Sequence, residues 1–360
     1  MADFLQTVQE RVVIYDGAMG TNIHKRNPTV DDYWGRENCN EVLVLSRPDI
    51  IREIHADFFR VGCDVVETDT FQGSRVALAE FNLGDRVHEI NVKGAQLAKE
   101  IARQFSTKDR PRFVAGSMGP TTKLPSLGHI GFDAMVAAYE EQALALIEGG
   151  VDILLIETAQ DLLQVKIATI GVLEAMQKSG KRLPLQVQVT LQDERGAMLL
   201  GTEIGAALTA LEPFDIDAIG INCATGPKEM NDSVRYLGLN STKHISVLPN
   251  AGLPQNVGGL AVYNLSPQEL ADYHKHFVQD YGVRIVGGCC GTTPEHLKAV
   301  VDAVSGVEPA KREVKRVGAA SSAYTSVPLD LEPKPLIVAE EMNTTTRVDH
   351  FRKLVQGKKL

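Results

Sequence analysis

The sequence predicts an α/β fold of the (β/α)8 TIM-barrel type, followed by a C-terminal linker and the start of a further domain. Three observations carry that prediction. Eight runs rich in Val and Ile recur along roughly the first 290 residues, a length that suits eight β/α units. Several are apolar at consecutive positions, as parallel strands covered by helices on both faces must be. Segments with helical periodicity separate them. A doubly wound open sheet is the structural alternative, but no glycine fingerprint opens the first unit and no switch to a second domain is visible.

In order, the runs are RVVIYDG (11–17), DVVETDTF (64–71), RFVAGSMGP (112–120), DILLIETA (152–159), PLQVQVTL (184–191), DAIGINCATG (217–226), HISVLPNAG (244–252) and VRIVGGCCG (283–291). The first connection, 18–47, is long enough to form a lid or a wall. SRPDIIREIHADFFRVG predicts a helix with Ser46 and Pro48 at its start and Ile51, Ile54 and Phe58 on the buried stripe. SPQELADYHKHFVQDYG repeats the design. Ser266 caps, Pro267 takes the first position and Glu269 completes a capping box, with Leu270, Tyr273, Phe277 and Tyr281 on one face. His274 and His276 are expected on its solvated face. In TPEHLKAVVDAV, Thr293 caps, Pro294 follows and His296 falls in the first turn.

After about residue 305 the composition changes. We expect the barrel to cover 1–305, a linker rich in charge, small residues and proline to cover 306–334, and 335–360 to begin another strand-then-helix unit. Thirty residues cannot build a second core, so the tail reads as the truncated opening of a further domain; an arm packed on the barrel is the alternative.

A formal charge of −9 argues against general binding to nucleic acid or anionic membranes. No stretch approaches a membrane span, and the N-terminus lacks the apolar core of a signal peptide. The expected location is the cytoplasm, where neighbouring cysteines bind metal more often than they pair.

In such a barrel, chemistry sits at the C-terminal ends of the strands. Those ends carry Asp16, Glu157, Asn222-Cys223 and Cys289-Cys290. Three thiols thus converge from distant parts of the chain, and thiolate softness with three ligands suits a catalytic zinc with an open position. Gly287, Gly288 and Gly291 would let both adjacent sulfurs face one ion. Cys39 and Cys63 read as small buried residues. A redox dithiol lacks CxxC spacing. Phosphate binding at the last loop has the glycines and the helix start but no basic residue clearly facing it. Asp16 and Glu157 are candidates for acid–base work, for binding an ammonium, or for capping loop amides; Thr70, Asn222 and Asn250 are candidate hydrogen-bond donors.

DGAMGT (16–21), ETDTF (67–71), GINCATGP (220–227) and GGCCGTTPEH (287–296) resemble the homocysteine S-methyltransferase family over roughly residues 8 to 305. Within it the chain is most similar to the N-terminal homocysteine-binding module of the cobalamin-dependent methionine synthases, and LIVAEEMNTTTR resembles the opening strand of the folate (pterin)-binding barrel that follows there. Asp69 departs from the asparagine the family more often has. The resemblance implies that Cys223, Cys289 and Cys290 hold Zn2+ and act through it, with the homocysteine sulfur in the fourth position. It also implies that Asp16 and Glu157 hold the substrate amino group and that backbone amides of a strand-end loop hold its carboxylate; of the rim donors, Thr70 and Asn222 are the further expected substrate-binding residues. A D-x-H-x-x-G cobalamin signature is absent, since DYHKHF (272–277) has phenylalanine where glycine is needed. Methylcobalamin is therefore expected from another module, with a cobalamin-binding and a folate-binding module as partners in a longer polypeptide. Two alternatives stay open: a stand-alone enzyme using S-methylmethionine or betaine, and a non-catalytic zinc- or thiol-binding module.

Overall fold

The computed structural model describes residues 3–192, 196–257, 260–314 and 318–330, apart from the side chains of 256, 257, 260 and 261. Eight parallel strands form one sheet: β1 (Val13–Ile14), β2 (Val65–Glu67), β3 (Phe113–Met118), β4 (Ile153–Ala159), β5 (Leu185–Val189), β6 (Ala218–Asn222), β7 (His244–Leu248) and, after an antiparallel hairpin of β8 (Gln255–Val257) and β9 (Leu260–Val262), β10 (Ile285–Val286). Strand β1 pairs with β10 on one side. On the other, a Tyr15–Val65 bridge and the Asp64 N–H to Ile14 carbonyl bond (2.7 Å) close the ring. All eight predicted strands are present, and the fold is the predicted barrel.

Strand alternation builds the interior. Val13, Tyr15, Val65, Phe113, Ala115, Ile153, Leu155, Ala218, Leu248 and Ile285 fill the barrel, while residues of opposite parity pack under the helices. The Phe4–Glu10 helix plugs the N-terminal end, with Phe4 edge-on to Phe113 at 5.5 Å. Beside that plug, the fully buried Asp64 accepts both guanidinium nitrogens of Arg11 (2.7 and 3.0 Å) and lies 3.4 Å from Arg112.

The helices follow their sequence signals with two corrections. In Pro267–Tyr281, Ser266 caps and Glu269 returns a bond to the Ser266 N–H (2.9 Å), as predicted. Its His274, however, is fully buried, not solvated: it lies on the Leu270–Phe277 stripe and bonds the Gly287 carbonyl at 2.7 Å. His276 stays partly exposed beside Asp280. In Pro48–Val61, Ile51, Ile54 and Phe58 are buried as expected. Ser46 does not cap it. That residue ends a separate short helix, Leu43–Ser46, and its hydroxyl donates to the Asp32 and Val42 carbonyls, so Arg47 takes the cap position.

Thr293 begins the last barrel helix, Pro294–Val304, its N–H bonding His296 Nδ1 at 3.3 Å. Beyond it, the Ala310 N–H bonds the Val278 carbonyl and Arg312 bonds that of Lys243 (2.7 Å). Residues 321–326 group with the barrel, where the Tyr324 carbonyl accepts the Glu203 N–H (2.8 Å). Of the described residues, 318–320 and 327–330 group with a second, smaller unit. The expected opening of a further domain at 335–360 lies outside the described residues. Among the described residues no helix is long and apolar enough to cross a membrane.

Candidate metal and substrate site

At the C-terminal rim, the ligand atoms of Cys223, Cys289 and Cys290 all lie within 4.8 Å of one another, with Cys223 Sγ and Cys290 Sγ 3.7 Å apart. Backbone geometry aims them. Cys223 and Ala224 adopt left-handed conformations (φ +61° and +59°), which non-glycine residues hold only when their surroundings enforce it. Here the Cys223 N–H is tied to the Leu248 carbonyl (3.1 Å), and the Thr225 N–H folds back to the Cys223 carbonyl (2.7 Å).

The Cys289-Cys290 pair is pinned from both sides. The Gly288 N–H bonds the Asp16 carbonyl (3.0 Å), the Cys289 N–H that of Pro249 (2.8 Å), and the Ala251 N–H that of Cys290 (2.9 Å). Gly291 follows at φ +79° beneath the Tyr263 ring. Hydrogen bonds from Cys223 and then Cys289 hold the Cys290 thiol down at about 3, while the bonds of Cys289 with Cys223 and then Cys290 push Cys289 up. The three thiols thus form one hydrogen-bonded cluster with its negative charge on Cys290, and three sulfur donors are the set a soft cation takes.

These thiols form one wall of a cavity of about 330 Å3 that also takes in Asp16, Glu67 and Glu157. Among the described residues no lysine, arginine or histidine lines it. Asp16 is 2% exposed; its Oδ2 accepts the Glu67 N–H (3.1 Å), and its Oδ1 is buried without a partner. Glu157 accepts the Ser117 hydroxyl (2.5 Å) and the Asn222 side-chain amide (2.9 Å). Burial, with Cys290 nearby, raises the Glu157 carboxyl to about 7, and burial raises Asp16 as well.

Asn222 holds this wall together. Besides reaching Glu157, it accepts the Thr158 N–H (2.7 Å) and donates to the Thr158 hydroxyl (2.9 Å), clamping Thr158 in a left-handed kink (φ +57°) at the end of β4. Its amide is thereby committed to orienting Glu157. Thr70 does not line the cavity. Its hydroxyl donates to the Ser117 carbonyl (2.8 Å) and pairs with that of Thr68 (2.6 Å). Asn250 is also buried, its Oδ1 without a partner.

Glu67 was not singled out from the sequence. Strand parity carries the signal: Val65 faces the interior, Val66 the helices, and Glu67 the interior again, one layer higher. A carboxylate in an inward position at the rim of an apolar strand asks for a ligand. Asp69 and Glu41 also line the cavity; both are buried and pushed up by burial, Asp69 further by the Glu41 charge.

The sequence profile of the family described as homocysteine S-methyltransferase matches residues 13–304. A methionine synthase of Mycobacterium tuberculosis is 43% identical over 341 residues, covering 95% of this chain and 28% of the relative. The methionine synthase of Mycobacterium leprae is 43% identical over 346 residues, covering 95% and 29%. The chain thus spans under a third of the length of these relatives. Among solved structures, the homocysteine methyltransferase MmuM from Escherichia coli superposes with a TM-score of 0.67 in its oxidized form (23% identity, 83% of this chain, 98% of that one). Its metallated form gives 0.67 as well (24%, 82%, 98%), and both likenesses speak to the fold.

Proposed function

The chain belongs to the homocysteine S-methyltransferase family, and on that premise we propose that it binds L-homocysteine and, with zinc, activates its thiol for methyl transfer from methylcobalamin, giving methionine. One observation carries the reading: three thiols from two strand ends converge within 4.8 Å on the wall of a carboxylate-lined cavity.

The donor set suits the metal. Three sulfurs are the soft ligands zinc prefers over hard oxygen sets, and three protein ligands leave a position open for substrate. Cys223, Cys289 and Cys290 would hold it. When bound, zinc lowers the pKa of a coordinating thiol and orients its sulfur, so that a nucleophile is available at neutral pH, where a free thiol near 8.5 is mostly protonated.

The remaining work falls to the chain's own groups. Asp16 and Glu157 would hold the substrate ammonium, which brings the positive charge the cavity lacks. Ser117 and Asn222 fix the Glu157 carboxylate so that the amino acid enters in one orientation. The family of the relatives and their greater length support a donor module elsewhere in a longer polypeptide, with methylcobalamin as the donor and a folate-binding module beyond it.

The test is metal content with and without Cys290→Ala. Wild type should carry one zinc per chain and the variant should lose it and its thiol binding; a metal-free wild type or a fully metallated variant rules the site out. Turnover should appear with free methylcobalamin. Methyl transfer from betaine or S-methylmethionine at a comparable rate would defeat the assignment of the donor.

A further inference from the structure

We propose that Glu67 is a third carboxylate of the ammonium site, and that the site selects a primary amine. The inference rests on the reading of this cavity as the homocysteine site. It starts from strand geometry. Glu67, Ser117, Glu157 and Asn222 lie two residues beyond the inward-facing Val65, Ala115, Leu155 and Gly220, so alternation sends all four to the same upper layer of the barrel. The Glu67 N–H reaches Asp16 Oδ2 at 3.1 Å, which sets the two acids side by side across the β1–β2 closure.

The bonding of the three acids is uneven. Glu157 has a donor on each oxygen, from Ser117 and Asn222. Asp16 Oδ1 and Glu67 Oε1 are buried and have none. A carboxylate oxygen shut away from water without a partner costs free energy, and no basic side chain among the described residues lines the cavity to supply one. A ligand that carries N–H donors can supply them. A primary ammonium carries three N–H groups, one for Asp16 Oδ1, one for Glu67 Oε1 and one for Glu157, whose oxygens keep acceptor capacity beyond their present bonds. A dimethylated amine carries one N–H when charged and would leave two of the acids unmatched.

Binding of three thiols separates this from a structural role: L-homocysteine, its deaminated analogue 4-sulfanylbutanoate, and N,N-dimethylhomocysteine, each titrated into the zinc-loaded protein. Wild type should prefer the primary amine over the dimethylated one by roughly ten- to a hundredfold, the scale of a lost charge-assisted bond. Glu67→Gln should weaken L-homocysteine by a similar factor, leave 4-sulfanylbutanoate unchanged, and shrink the preference for the primary amine; Glu67→Asp should recover part of the loss. Equal loss for homocysteine and its deaminated analogue would make Glu67 structural and overturn the proposal, as would unchanged homocysteine binding. If Glu67→Gln fails to fold, the wild-type series still decides, because equal affinity for the primary and dimethylated amines overturns the selection. A wild type that binds none of the three thiols removes the homocysteine reading itself, and the proposal with it.

Discussion

The Thr292 hydroxyl donates to the carbonyl of Cys289 at 2.6 Å, and the same oxygen accepts the Ala18 N–H at 3.1 Å. One fully buried side chain therefore couples the loop bearing two thiols to the loop that follows Asp16. Thr292→Val keeps the shape and removes both bonds. It should cost about 1–3 kcal/mol of stability and reduce zinc retention in competition with a chelator, while Thr292→Ser should restore both. Denaturant melts and chelator titrations of the two variants check this.

Gly291→Ala tests the other side of the same loop. At φ +79° an L-residue pays about 1–2 kcal/mol, and the new methyl would collide with the Tyr263 ring. The expected result is a folded protein with a lower melting temperature and a weakened metal site, measured by zinc stoichiometry after dialysis.

At the opposite end of the barrel, Asp64→Ala leaves Arg112, 6% exposed, without its buried counter-charge. A loss of about 3–5 kcal/mol is expected, because the remaining charge is uncompensated rather than merely unpaired. The thiols lie at the other rim, so the folded fraction should keep its full zinc content. Equilibrium unfolding with metal analysis of the native protein distinguishes the two effects.

His55 gives the chain an acid sensitivity. It is fully buried, neither ring nitrogen has a partner, and burial lowers its pKa to about 3 from 6.5. Its neutral form is favoured in the native state, so full stability holds above 6.5 and is lost as pH falls from there towards 3. The slope approaches about 1.4 kcal/mol per pH unit, or about 2 kcal/mol by pH 5. His55→Leu should flatten that slope between pH 7 and 5 in urea unfolding.

Much of this was legible in the chain. Eight Val/Ile runs and capped amphipathic helices are period signals, and they mark the strands and helices such as Pro267–Tyr281. The three rim cysteines were legible because strand ends converge in a barrel whatever their separation in sequence. What escaped was set by partners outside the local pattern. His274 shares the stripe of Leu270 and Phe277, yet a polar residue there reads as solvated until the Gly287 carbonyl is found to accept from it. Ser46 carried a cap signal, but the Asp32 carbonyl of the long first connection claims its hydroxyl. Nothing in CCGTTPEH announces that Thr292 takes Ala18 as a partner, because that residue lies at the far end of the chain.

The charge of the cavity has a consequence for traffic through its mouth. Asp16, Glu41, Glu67, Asp69 and Glu157 surround it without a basic residue among those described, and burial raises all five, so the cavity turns negative and repels anions as these acids ionise with rising pH. Homocysteine with its thiol protonated is a zwitterion of zero net charge; with the thiol ionised it carries a net negative one. On the proposed reading the field would favour entry of the protonated thiol, whose proton would leave after the molecule is seated. Association should slow as pH rises through the free thiol range, and the slowing should fade with added salt as the field is screened.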